Sequence, residues 1–199
     1  GAPGPPFPNN LFEDVLPHWN DNTILALSLS KLGLPGARTG IVVAREDMIQ
    51  AYTNANTIVS LACGNLGPAL AKELFASGEI VSISNELVRP FYLERSQQTV
   101  KWFRDALGEL PFHIHKPEGA IFLWLWFEGL PISSQVLYQR LKQRGVLIVP
   151  GHNFFVGMDD EHWPHQHECI RVSYAQDGDV VRRGIEIIAD EVRQAYAAG

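Results

Sequence analysis

An amine, two hydroxyls and a guanidinium fall close together in this chain: Ser28 and Ser30 lead into Lys31, and Arg38 follows within Gly36-Ala37-Arg38-Thr39-Gly40. A lysine amine condenses with carbonyls and can afterwards carry a proton, provided that it is partly neutral while it works. Hydroxyls and a guanidinium are what a phosphate group asks for. A second arginine, Arg171 in Ile170-Arg171-Val172-Ser173-Tyr174-Ala175, could grip a carboxylate through two parallel hydrogen bonds and fix the orientation of a small acid. Each residue has a plain reading as well. Lys31 alone would be a surface lysine after a strand, Arg38 a solvated turn residue, and Arg171 the partner of an acid such as Glu168. The ordered set outweighs these separate readings.

Secondary structure has to hold these groups in place. Residues 23–27 form a short apolar run that suits a strand buried on both faces of a largely parallel sheet, with Ser28 to Lys31 at its C-terminal end. Gly33-Leu34-Pro35-Gly36 punctuates a turn before a second strand at 40–44, and helices are expected at 46–54 and 66–75. Apolar residues from 80 to 107 recur at helical spacing, interrupted by Pro90, which marks the expected domain boundary. Beyond it, 112–115, 120–126, 146–149 and 170–173 read as strands and 134–143 as a helix closed by Gly145. A last helix has Asp177 as candidate N-cap and the stripe Val181, Ile185, Ile188, Val192, Tyr196. This mixture predicts a small α/β domain next to a larger one.

Composition narrows the function. The 199 residues are 46% hydrophobic with a net charge of −6, and their cations are scattered, which tells against nucleic acid as a partner. The longest apolar run is about a third of a membrane span, so no membrane partner is expected and the cytoplasm is the expected location. Cys63 and Cys169 lie far apart, without the spacing of a disulfide framework or zinc ribbon. His162, His165, His167 and Cys169 are dense enough to raise the question of zinc, but a polar loop is the expected reading and no metal is assigned. Trp124 and Trp126 share one strand face, and His152 and Asn153 either line a substrate entrance or shape a turn. The opening stretch, rich in Gly and Pro and without an initiator Met, reads as the start of a fragment.

A lysine for a Schiff base, a phosphate cradle and a carboxylate grip are together what a pyridoxal-phosphate (PLP) enzyme requires. The run Ser28-Leu29-Ser30-Lys31, followed by a glycine-containing turn and Arg38-Thr39-Gly40, is similar to the cofactor segment of fold-type-I PLP-dependent aminotransferases. The segment around Arg171, and those at Lys116-Pro117-Glu118-Gly119 and Gly145 to Phe155, resemble further parts of the same family. The resemblance covers nearly the whole chain but only the C-terminal half of such an enzyme. It implies an α/β fold: the C-terminal part of the PLP-transferase large domain, with a mostly parallel sheet, at 1–89, and the small C-terminal domain at 90–199. It implies that Lys31 carries PLP covalently and shuttles a proton, that Ser28 and Arg38 bind its phosphate with support from Ser30, and that Arg171 takes the substrate carboxylate. The expected reaction moves an amino group between a small neutral amino acid and a 2-oxo acid, with valine and pyruvate as the specific pair.

A PLP lyase or synthase of this fold, or a non-catalytic dimerisation or regulator module, is the alternative. The family's pyridine-binding aspartate, O3′ tyrosine and ring-stacking aromatic belong upstream, so the fragment alone is expected to be inactive. The family also implies a homodimer, with residues 53–67 near the interface.

Overall fold

The computed structural model describes residues 20–119, 121–158 and 163–199. The chain divides after Phe91 into two compact units.

In the first unit, β1 (Leu25–Ser28) pairs antiparallel with β2 (Gly40–Val43) in the register Leu25↔Val43 to Ser28↔Gly40. Two 3-10 turns, Leu29–Lys31 and Pro35–Ala37, occupy the connection. The expected burial of this strand on both faces is corrected here: its one pairing among the described residues, with β2, is antiparallel, and Ile24, Leu27 and Val43 are exposed. A continuous apolar run reports what a strand can be buried against, and a two-stranded ribbon supplies little cover of its own. Helix α1 (Glu46–Ser60) runs a turn and a half past the expected end, held by Gln50 Nε2 donating to Asn54 Oδ1 at 2.9 Å and Thr57 Oγ1 donating to Thr53 O at 2.8 Å. Helix α2 (Leu66–Ser77) packs on the Pro35–Ala37 turn through Gly67.

Pro90 does not break the next helix. Helix α3 (Glu79–Ile83) passes through a π-helical segment, Ser84–Val88, into α4 (Arg89–Leu107). A proline ring meets the carbonyl four residues back in an α-helix, and the wider π turn just before it relieves that clash.

The second unit is a four-stranded antiparallel sheet in the order β3 (Phe112–Ile114), β4 (Phe122–Phe127), β6 (Cys169–Ser173), β5 (Val149–Pro150). Alternation along β4 sends Leu123, Leu125 and Phe127 into a core shared with Ile170 and Val172 of β6. That core is completed by Phe103 and Leu107 of α4, by Leu137 and Leu141 of α5 (Ser134–Gln143) and, after the one-turn helix α6 (His165–Glu168), by the stripe Val181, Ile185, Ile188 and Val192 of α7 (Gly178–Ala198). The strand expected at 146–149 shrinks to Val149–Pro150 because Val146 is spent on closing α5. Its N–H donates to Leu141 O at 2.9 Å and that of Gly145, at φ 79°, to Lys142 O at 3.1 Å, a Schellman closure. Asp177 occupies the N-cap position of α7, but its side chain makes no capping bond. Among the described residues no helix is long and apolar enough to cross a membrane.

Candidate functional site

The turn that carries Lys31 is organised from a buried pin. Leu29 is inaccessible to solvent, its N–H donates to Thr39 O at 3.1 Å, and Leu34 N–H closes back on Leu29 O at 3.1 Å. Ser28, in extended backbone at the end of β1, accepts the Ser30 N–H on its Oγ at 3.2 Å and so caps the 3-10 turn that ends at the half-buried Lys31. Arg38 reaches back across the loop, its Nη1 donating to Ser30 Oγ at 3.4 Å. Ser28, Ser30 and Arg38 are thus linked around the turn that ends at Lys31.

Arg38 adopts left-handed backbone, φ 46° and ψ 41°. For a non-glycine residue this costs about 1–2 kcal/mol, and such strain persists where the surroundings impose it. Here α2 supplies the surroundings. Gly67 lies so close to Thr39 Oγ1 and Ala37 O that no Cβ would fit between them, and Thr39 Oγ1 donates to Ala37 O at 2.8 Å. A cavity of about 510 Å³ opens beside Arg38 and Thr39, lined also by Gly40, Tyr52, Cys63 and Pro68.

Arg171 stands in the second unit at the middle of β6, opposite Trp124 in the β4 register and Val149 in β5. Its guanidinium carbon lies 4.2 Å from the Phe122 ring centroid and 4.7 Å from that of Phe154, and its Nε is buried without a hydrogen-bond partner among the described residues. Glu168, read from sequence as a possible ion partner, is turned elsewhere: it accepts Trp126 Nε1–H at 2.7 Å and the Gly129 N–H at 3.2 Å. The two phenyl rings escaped the sequence reading. Phe122 begins a strand whose alternation places it on the same face as Trp124, which was a usable signal, whereas Phe154 arrives from a 3-10 turn, Gly151–Phe154, and left none. Gly67 was missed for the same reason, since its tight contact is tertiary.

The histidine-rich segment forms an aromatic cluster. His165 stacks on Trp163 with centroids 4.9 Å apart, meets Trp126 edge-on at 4.8 Å, and lies 3.5 Å from the Cys169 sulfur. His162 lies outside the described residues, and among those described no three His, Cys, Asp or Glu side chains are disposed to hold a metal. Burial pushes the Cys169 thiol up to about 11. Asn153 Nδ2 donates to Pro150 O at 3.2 Å, a turn contact, and His152 Nδ1 is buried without a partner among the described residues.

A lysine turn of this build and an arginine without a carboxylate partner among the described residues belong to a pattern that extends along the chain. The family described as Aminotransferase class I and II matches residues 10–188, and the chain belongs to that family. Within it, the chain is 50% identical over 196 residues to valine–pyruvate aminotransferase of Escherichia coli (strain K12), covering 98% of this chain and 47% of that protein. The crystal structure of valine–pyruvate aminotransferase from Salmonella typhimurium LT2 matches with TM-score 0.87 and 49% identity, over 100% of this chain and 51% of that one. A more distant structure, the α-aminoadipate aminotransferase LysN from Thermus thermophilus complexed with N-(5′-phosphopyridoxyl)-L-leucine, matches with TM-score 0.74 and 26% identity, over 88% of this chain and 43% of that one. The chain spans about half or less of the length of the curated relatives it matches. The α/β class expected from the sequence is the class of these relatives.

Proposed function

We propose that the protein to which this chain belongs is a PLP-dependent aminotransferase that exchanges the amino group of valine with pyruvate. One observation carries the reading: Ser28, Ser30 and the strained Arg38 are linked by hydrogen bonds around the turn that ends at Lys31, hydroxyls and a guanidinium of the kind a phosphate needs. The 50% identity to valine–pyruvate aminotransferase supports the choice of substrates. PLP, when bound, supplies the aldehyde carbon that takes the amino group and a ring that accepts the electron pair released at the substrate Cα.

The residues fit that group. Arg38 and the Ser28 hydroxyl, with Ser30 in support, would hold its phosphate. Lys31 Nζ holds the cofactor covalently, and once displaced it carries the proton taken from the substrate Cα. Arg171 takes the substrate carboxylate, fixing which Cα bond faces the ring. Residues 1–89 then form the remainder of the cofactor-binding large domain and 90–199 the small domain, in a cytoplasmic homodimer.

Borohydride reduction of the complete holoprotein, followed by peptide mapping, should place the phosphopyridoxyl label on Lys31. A label on any other lysine overturns the proposal. Valine should convert the bound cofactor to its amine form and pyruvate should restore it. Release of a different product would instead indicate a lyase or synthase.

A further inference from the structure

Among the described residues the half-buried Arg171 guanidinium is flanked by phenyl rings where a carboxylate partner would ordinarily stand. The rings come from separate elements, Phe122 from the start of β4 and Phe154 from the turn after β5. Each centroid lies within 5 Å of the guanidinium carbon, at 4.2 Å and 4.7 Å. Phe154 is itself braced edge-on by Trp124, centroids 5.2 Å apart, and Trp124 is the cross-strand neighbour of Arg171. The nearest acid in sequence on this face, Glu168, is held by Trp126 and the Gly129 N–H.

A guanidinium can offer a carboxylate two paired edges: its two terminal nitrogens, or Nε together with one of them. Burial of Nε closes the second approach. Ring faces attract the cation without neutralising it, whereas a carboxylate in their place would compete with an incoming anion and would have to be desolvated along with it.

We propose that Phe122 and Phe154 are positioning residues for the carboxylate subsite: they hold the Arg171 guanidinium by its π face, so that the terminal Nη edge is the one presented to the α-carboxylate of substrate. This rests on the reading of Arg171 as the carboxylate residue. It adds that the aromatic pair sets how tightly both the amino acid and the 2-oxo acid are held.

The test uses the complete holoenzyme with Phe122→Leu, Phe154→Leu, the double variant, the ring-retaining Phe122→Tyr and Phe154→Tyr, and Arg171→Gln. Each leucine substitution should raise KM for both substrates roughly 3- to 30-fold, with the smaller effect on kcat, and tyrosine should restore most of the loss. Isovalerate, a carboxylate with no amine to react, provides a second readout through quenching of tryptophan fluorescence, and its affinity should fall by the same factor as KM rises. Thermal melts identify variants that fail to fold, and for those the tyrosine variants decide the outcome. If the leucine variants bind isovalerate as the parent does while Arg171→Gln does not, the aromatic pair has no positioning role and only this inference falls. If Arg171→Gln also binds isovalerate normally, the carboxylate role of Arg171 falls with it.

Discussion

A methyl group added at Gly67 would run into Thr39 Oγ1 and the Ala37 carbonyl, both fixed by the same turn that holds Arg38 in left-handed backbone. Gly67→Ala must therefore displace the loop from α2 and relax Arg38 toward ordinary backbone, drawing its guanidinium away from Ser30. The expected result is PLP affinity weakened roughly 10-fold or more, the loss of one charge-assisted contact. It can be read by cofactor titration of the apoprotein, and an unchanged affinity would separate α2 from the cradle. The two cysteines differ as sharply. Cys63 is exposed, while Cys169 is inaccessible and its thiol is pushed up to about 11 by burial. Because the thiolate is the reactive form, an aromatic disulfide reagent at mildly alkaline pH should modify Cys169 only after denaturation, and Cys63, which falls in the 53–67 stretch, promptly once that stretch is uncovered by Ile58→Asp with Leu61→Asp. Prompt reaction of both would contradict the packing of β6.

The buried stripe of helix α7 was legible because it has one consistent partner, the core face of the sheet: Ile185, Ile188 and Val192 are each at most 1% exposed. Ile188→Ala should cost about 2–5 kcal/mol in urea denaturation, against at most about 0.5 kcal/mol for Val180→Ala on the exposed face. Equal effects would mean the stripe is misassigned. Other elements were misjudged where periodicity says nothing about neighbours. The run at 23–27 carried apolar character but no information on strand direction, and its antiparallel pairing with β2 follows from the folded connection between them. Pro90 looked like a break because the rule against helical proline assumes α geometry, and the π segment removes that assumption. The candidate site divides in the same way. Lys31, Ser28, Ser30, Arg38 and Arg171 sit in local sequence patterns and could be named, whereas Phe154 and Gly67 act through contacts made only on folding.

The ion pairs that join α5 to α7 should show in acid stability. Arg144 bonds to Asp190 at 2.6 Å and to Glu191 at 2.8 Å, and the Asp190 carboxyl is held below its usual range by the Arg144 guanidinium, with help from Gln194. A depressed carboxylate stabilises the fold above its unfolded pKa, near about 4, and that contribution is lost as pH falls through the depressed value. Melting temperature should therefore fall more steeply below about pH 4 for the parent than for Arg144→Met, and coincident acid limbs would show that the pair contributes nothing. Assembly is the larger question. Helix α1 buries none of its residues, and Ile58, Val59 and Leu61 are each more than 80% exposed at its C-terminal end, with Leu66 at 75% close behind. Apolar side chains this exposed and this contiguous mark a surface made to be covered, and they fall in the 53–67 stretch assigned to the subunit interface of the proposed homodimer. Charges placed there must be desolvated on association without a partner to compensate them. In the complete enzyme, Ile58→Asp with Leu61→Asp should convert a dimer into monomers by sedimentation velocity while leaving the melting of the Tyr92–Gly199 unit little changed. A double variant that still sediments as a dimer at micromolar concentration would place the interface elsewhere.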